Sequence, residues 1–281
     1  MQVDHHERIF LTIGKVSRFL GKLSSQPSAE NIHKFRTHSR RVETVLQELV
    51  QDAPRNQKKL LKQLVRLRKK AGKLRDLDVQ IAALRNLKVP QAAGSKAQLI
   101  RLLAEERAER EEQISHLFDK ETVRDLRKRL KRAAAELQIP PSTDLLHLAT
   151  QTIERLGRGN VSAEEKTLHQ YRIVGKQARY IAELAGDGPE VRRFVDQLKR
   201  MQDVLGDWHD WQQLSEKAQH HCGGAEKSSL SAVLQNVTRA KFRQSFDVLT
   251  ETRAALYQKS ESTPPPRKPA RATDPARAAV A

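Results

Sequence analysis

The sequence predicts an all-α protein made of two helical bundles that arose by tandem duplication, with a basic surface or cavity between them. Three observations carry that expectation. Apolar residues recur at three- and four-residue spacing through nearly the whole chain, no segment shows the strict alternation of a half-buried strand, and a His/Arg pattern occurs twice in the same order. The elements follow in sequence, about ten helices in all.

Pro27-Ser28 marks the start of a helix containing IHKFRTHSRRVET, whose apolar side is Phe35, Val42, Val45, Leu46 and Leu49, and Asp52-Ala53-Pro54 ends it. Leu60, Leu64, Leu67, Ala71 and Leu74 then form one helical face, and a long segment from Ala93 to Leu137 closes the first half with Val123, Leu126, Leu130 and Leu137 aligned. Pro140-Pro141-Ser142 separates the halves, so the first is expected over residues 1–138 and the second over 139–257. Ser162 and Glu165 read as a capping box before LHQYRIVGKQARY, which is backed by Tyr171, Val174, Ala178 and Ile181. FVDQLKRMQDVLGDWHD follows, then a closing segment from Glu226 to Tyr257. Residues 258–281, rich in Pro, Ala and Arg, are expected to be disordered.

Aligning Leu67 with Leu198 brings Leu74 onto Leu205, Asp76 onto Asp207 and Leu77 onto Trp208. The His helices are offset from each other by about five residues more, as a change in loop length would produce. Asp76 and Asp207 are read chiefly as N-caps of new helices, with orientation of a neighbouring Arg or His as the second role. Trp208 and Trp211 are read as core anchors.

Charge narrows the partner class. With 52 Lys and Arg against 34 Asp and Glu the chain carries +18, and its sequence pI is near 10.2, which favours a polyanion. The tail from Lys259 holds only +3 of this, so +15 belongs to the body. No apolar run approaches the roughly 20 residues of a membrane helix, and MQVDHHERIF lacks the order of a secretory signal, so a cytoplasmic protein without membrane partners is expected. Cys222 is the single cysteine, which removes intrachain disulfides and cysteine-rich zinc sites.

His169, Arg172, Lys176 and Arg179 fall within a helical arc of roughly 80°. His33, Arg36 and Arg40, followed by Arg41, repeat that geometry. If the halves pack about a pseudo-twofold axis, these cationic faces meet, an arrangement favourable only with anions between them. Phosphate suits it, because guanidinium forks bond its oxygens in pairs, Lys adds a point charge and protonated His donates from either nitrogen. Lys62, Arg66, Arg68, Lys69, Lys70, Lys73 and Arg75 form a further window free of acidic residues, and Arg124, Arg127, Lys128, Arg129, Lys131 and Arg132 form a second, although about half of such residues should simply be solvated. His5, His6, His38, His116 and His147 are read as ordinary surface or core histidines, and His220, His221 and Cys222 as lacking a partner to complete a metal site.

IHKFRTHSRRV, KLRDLDV, LHQYRIVGKQARY and LKRMQDVLGDWHD, in that order, resemble the paired signatures of the CHAD family, the conserved histidine α-helical domains. The resemblance spans nearly the whole chain before the tail. It implies two helical bundles about a pseudo-twofold axis and non-enzymatic binding of inorganic polyphosphate, in some members at polyphosphate granules. It transfers roles to His33, Arg36, Arg40, Arg41, His169, Arg172, Lys176 and Arg179, and the expected binding set is completed by Arg68, Lys69, Lys73, Arg75, Arg124, Lys128, Lys199 and Arg200. Gln177 stands where the first copy has Arg41, so the two halves of the site are expected to be unequal. No cofactor and no metal is implied, and oligomeric state is left open.

Two other functions compete. His209-Asp210, with His169 upstream and Asp247 downstream, resembles the ligand set of HD-type metal phosphohydrolases, but the surrounding basic residues disfavour a cation. Nucleic acid suits the net charge equally, yet aromatics are 4% of residues and no stacking cluster interleaves the basic stretches, so weak non-specific attraction is the expectation.

Overall fold

The computed structural model describes residues 5–26, 28–50, 52–89, 93–140, 142–157, 161–221 and 229–261. Those residues form nine helices and no strand: α1 (His5–Ser25), α2 (Ala29–Glu48), α3 (Arg55–Asn86), α4 (Ala93–Leu117), α5 (Lys120–Glu136), α6 (Leu145–Glu154), α7 (Glu165–Ala182), α8 (Pro189–His221) and α9 (Ser229–Glu261). None is long and apolar enough to cross a membrane.

Local chemistry accounts for most boundaries. Ser28 caps α2 by accepting from the Asn31 amide, and Asp144 caps α6 by accepting from the His147 amide; such caps contribute about 1 kcal/mol each. The long helix expected from Ala93 to Leu137 breaks after Leu117, because Asp119 accepts from the Thr122 amide at 2.7 Å and starts α5 afresh. The expected capping box before α7 does not form. Glu164 holds the cap position without a side-chain bond, and the Ser162 hydroxyl instead meets that of Thr167 at 3.2 Å.

Asp76 and Asp207 are not caps either. Both lie inside unbroken helices, α3 and α8, since no proline nearby interrupts the backbone bonding. Asp207 pairs with Lys241 of α9 at 2.7 Å. α9 continues to Glu261, past the boundary expected at residue 258, and the rest of the tail lies outside the described residues, as does Cys222.

In the first half α1 packs on α2, α2 on α3 and α3 on α4, with α5 folded back against α1 and α3. In the second α6 packs on α7, α7 on α8 and α8 on α9. α2 meets α7, and α3 meets α8, so the His helices lie at the junction. One apolar cluster runs through both halves, from Ile9 and Phe35 to Trp208 and Leu249, and a smaller one joins the far ends of α3, α4, α8 and α9 around Leu84, Leu103, Leu214 and Leu234.

Burial revises the sequence alignment of the halves. A shift of 134 residues lays nine buried positions of α3 on buried positions of α8, among them Leu60 on Phe194, Leu64 on Leu198, Leu67 on Met201, Ala71 on Leu205, Leu74 on Trp208 and Leu84 on Ala218. α2 and α7 agree at a shift of 136, with Ile32 on Leu168, Phe35 on Tyr171, Ser39 on Gly175 and Val42 on Ala178. The two shifts differ by two residues rather than about five, and Asp76 corresponds to Asp210, one helical turn beyond Asp207.

Candidate functional site

The cationic rows of α2 and α7 face one another, because their opposite sides carry the core: Phe35 and Val42 on α2, Tyr171, Ala178 and Ile181 on α7. Arg40 is an electrostatic neighbour of Arg36 on its own helix and of Arg172 and Lys176 on the other. Behind them α3 supplies Asp76 and α8 supplies Asp210. Arg36, Arg40, Arg172 and Lys176 therefore meet Asp76 and Asp210 in one cluster.

The carboxylates are unevenly engaged. The Arg36 Nη1 donates to Asp76 Oδ1 at 3.3 Å, and its guanidinium lies beside Gly72 of α3. Arg40, Arg172 and Lys176 close no ion pair with a described residue, and the Arg172 Nε is buried without a hydrogen-bond partner among them.

Crowding shows in the proton affinities. Burial, reinforced by Arg172 and Arg40, pushes the Lys176 ammonium down from 10.5 to about 6. Burial raises the Asp210 carboxyl against the pull of Arg172 and Lys176. His209, one residue before it, is lowered to about 4 by burial and then by Arg172, His169 and Lys176. Burial also lowers His33, followed by Arg75 and Arg36. The shifts of Lys176, His209 and His33 each remove positive charge from an assembly that has too much of it, and an anion supplied from outside would reverse them.

The structure gathers His33, Arg36, Arg40, Arg75, His169, Arg172 and Lys176 at this junction. The rings of His169 and His209 lie 5.7 Å apart, so His209 joins the set, and Gln202 fixes α8 beneath α7 by donating to the Gly175 carbonyl at 2.7 Å. Sequence reading had His209 and Asp210 only as metal ligands. The 134-residue shift, which pairs Arg75 with His209 and Asp76 with Asp210, is the signal that places them here.

Other expected residues lie elsewhere or are engaged. Arg68 is held by buried Glu43 through Nε contacts of 2.7 and 2.9 Å. Arg41 and Arg179 both pair with Glu183, at 2.8 and 3.5 Å, beside the Tyr180 ring. Arg41 lines a separate cavity of about 240 Å³ with Arg8, Lys15 and His38. That histidine, stacked on Phe19, is lowered to about 4 by burial and then Arg41. Lys69 is exposed, and Lys73 borders a cavity of about 420 Å³ shared with Asp76, Glu106 and Lys217. Arg124 and Lys128 line a groove between α1 and α5. Lys199 and Arg200 are exposed on α8, the latter paired with Glu251 at 2.8 Å. Among the described residues no three His, Cys, Asp or Glu side chains gather as a metal-binding group, and Asp247 is exposed on α9.

Fold and site together define an all-α scaffold in which α2 and α7 bury their apolar sides and bring their cationic rows together. A family model described as CHAD domain matches residues 17–219, and the chain belongs to that family. It is similar to the crystal structure of the CHAD domain from the plant Ricinus communis, at 18% identity and a TM-score of 0.69, covering 92% of this chain and 94% of that one. It is also similar to PptA from Streptomyces chartreusis, at 17% identity and a TM-score of 0.64, covering 90% of this chain and 98% of that one. No curated protein matches.

Proposed function

We propose that the protein binds inorganic polyphosphate at the α2–α7 junction, without turning it over. The observation that carries this is the set of Arg40, Arg172 and Lys176, enclosed together with no ion pair to a described residue. Isolated like charges at such a junction cost folding free energy, and a multivalent anion recovers it by charge-assisted hydrogen bonding. A phosphate chain presents oxygens along its length to both rows at once. The family resemblance points to the same ligand, and association with polyphosphate granules is its cellular corollary. The coincident burial of α2 with α7 and of α3 with α8 supports a tandem duplication in which each copy contributes one row.

The phosphohydrolase reading is disfavoured by the same geometry. His209 and Asp210 face Arg172 and Lys176, which repel a divalent cation. Nucleic acid is disfavoured because the junction offers cations and imidazoles but, among the described residues, no exposed large aromatic on which a base would stack. Titration with polyphosphates of graded length, in competition with single-stranded nucleic acid of matched charge, tests the reading. Polyphosphate should win at equal phosphate concentration. Equal displacement by both would show non-specific attraction instead.

A further inference from the structure

α5 carries its cations in two different ways. Arg129 pairs with Asp125 four residues earlier, at 2.8 Å, the usual arrangement on a solvated helix. Lys120, Arg124, Arg127, Lys128 and Lys131 lie on the side facing α1, line one groove of about 500 Å³ with Gly21 and Ser24, and form no ion pair with a described residue. Lys128 lies within electrostatic reach of the Asp125 carboxylate without pairing with it. Among the described residues no acidic side chain lines the groove.

The groove is also shaped from its far wall. Arg127 Nε donates to the Ser17 hydroxyl of α1 at 3.1 Å, which fixes the guanidinium across the gap. The guanidinium lies against α1 at Gly21, where an added Cβ would stand in ordinary contact, 3.4 Å from the Arg127 Nη2. Lys120 to Lys131 covers eleven residue steps of one helix, a straight stripe about 16 Å long at 1.5 Å per residue. A straight row of unpaired cations over an apolar floor at Val123, without an aromatic lining residue, suits a narrow linear polyanion that has no bases to stack.

We infer that the α1–α5 groove is a second phosphate-chain site, separate from the junction of the His helices. The ligand class rests on the function proposed above; the site itself rests on the unpaired stripe and the Arg127 bridge. Two sites on one protein favour long chains, because a chain held at one site reaches the other, or a neighbouring protein, at raised effective concentration.

Tripolyphosphate, too short to occupy both sites, separates them by calorimetry at about 0.15 M ionic strength, where loose surface attraction is screened. Wild type should bind two equivalents. Substituting Lys120, Arg124, Lys128 and Lys131 with Gln should remove one and leave the other unchanged, while Arg40→Ala with Arg172→Ala should remove the other and spare the groove. Gly21→Glu, which sets a carboxylate against Arg127 from the opposite wall, should repeat the groove loss without touching α5. Helicity and melting temperature confirm that each variant is folded. Two equivalents retained in both the quadruple variant and Gly21→Glu, or a single wild-type equivalent that vanishes with the Arg40/Arg172 pair, would overturn the groove site. A single equivalent that vanishes only with the groove variants would uphold it and overturn the junction.

Discussion

Replacing Lys176 with Met should make the protein more stable and a poorer polyphosphate binder. Methionine keeps the length and volume of the side chain and removes its charge. In the unfolded chain this lysine titrates near 10.5, and in the fold near 6. Between those values the unfolded state holds more protons, so stability rises with pH across that window, and the penalty is complete below about pH 6. Each pH unit is worth about 1.4 kcal/mol, so at pH 7 the side chain costs on the order of 3 kcal/mol after allowance for residual solvent screening. For a fold of this size that is a rise in melting temperature of roughly 5–10 °C. The rise should shrink as pH increases from 7 to 9, because the wild type is then relieved of its own penalty. Polyphosphate affinity should meanwhile fall about tenfold, as expected for one charge-assisted contact. Calorimetric melting at pH 6, 7, 8 and 9 and a polyphosphate titration at pH 7 measure both effects. A variant that melts at the wild-type temperature at every pH would falsify the account of a cationic junction strained in the free protein.

Wild-type polyphosphate binding should take up close to one proton at pH 7, because the bound anion restores the Lys176 proton; affinity should therefore fall as pH rises above about 6, by up to tenfold per unit, and an affinity independent of pH would contradict this. Lys176→Met should abolish most of that uptake, measured as the dependence of binding enthalpy on buffer ionisation. Glu43→Gln should cost about 3 kcal/mol in chemical denaturation by leaving Arg68 enclosed without its carboxylate, with binding reduced only as far as the fold is; a neutral effect would show that Arg68 relaxes to solvent. Asp210→Asn should tighten binding by removing a carboxylate that competes with phosphate for Arg172 and Lys176, and weaker binding would instead make Asp210 an orienting residue.

The fold class was legible because helical burial is periodic. Leu60, Leu64, Leu67, Ala71 and Leu74 are all buried on α3, as their spacing requires, and the row His169, Arg172, Lys176 opposes the core face of α7 as the helical wheel places it. A repeated pattern of charge likewise exposed the two His helices. Helix boundaries were less legible. The single Asp119 cap that splits α4 from α5, and the continuity of α3 through Asp76, depend on which of several competent residues the tertiary packing engages.

The amphipathic helices, their order, and the cations on the side opposite the core in two of them follow from the order of residues alone. Which of those cations are neutralised depends on how the helices pack. Arg41 reaches Glu183 across 142 residues, Arg68 takes Glu43, Arg36 takes Asp76, and Arg40, Arg172 and Lys176 are left facing one another. Helical periodicity reports which side of its own helix a residue occupies. It carries no information about the charge that another helix brings to that side, and in an enclosed junction that charge sets both proton affinity and the capacity to hold an anion.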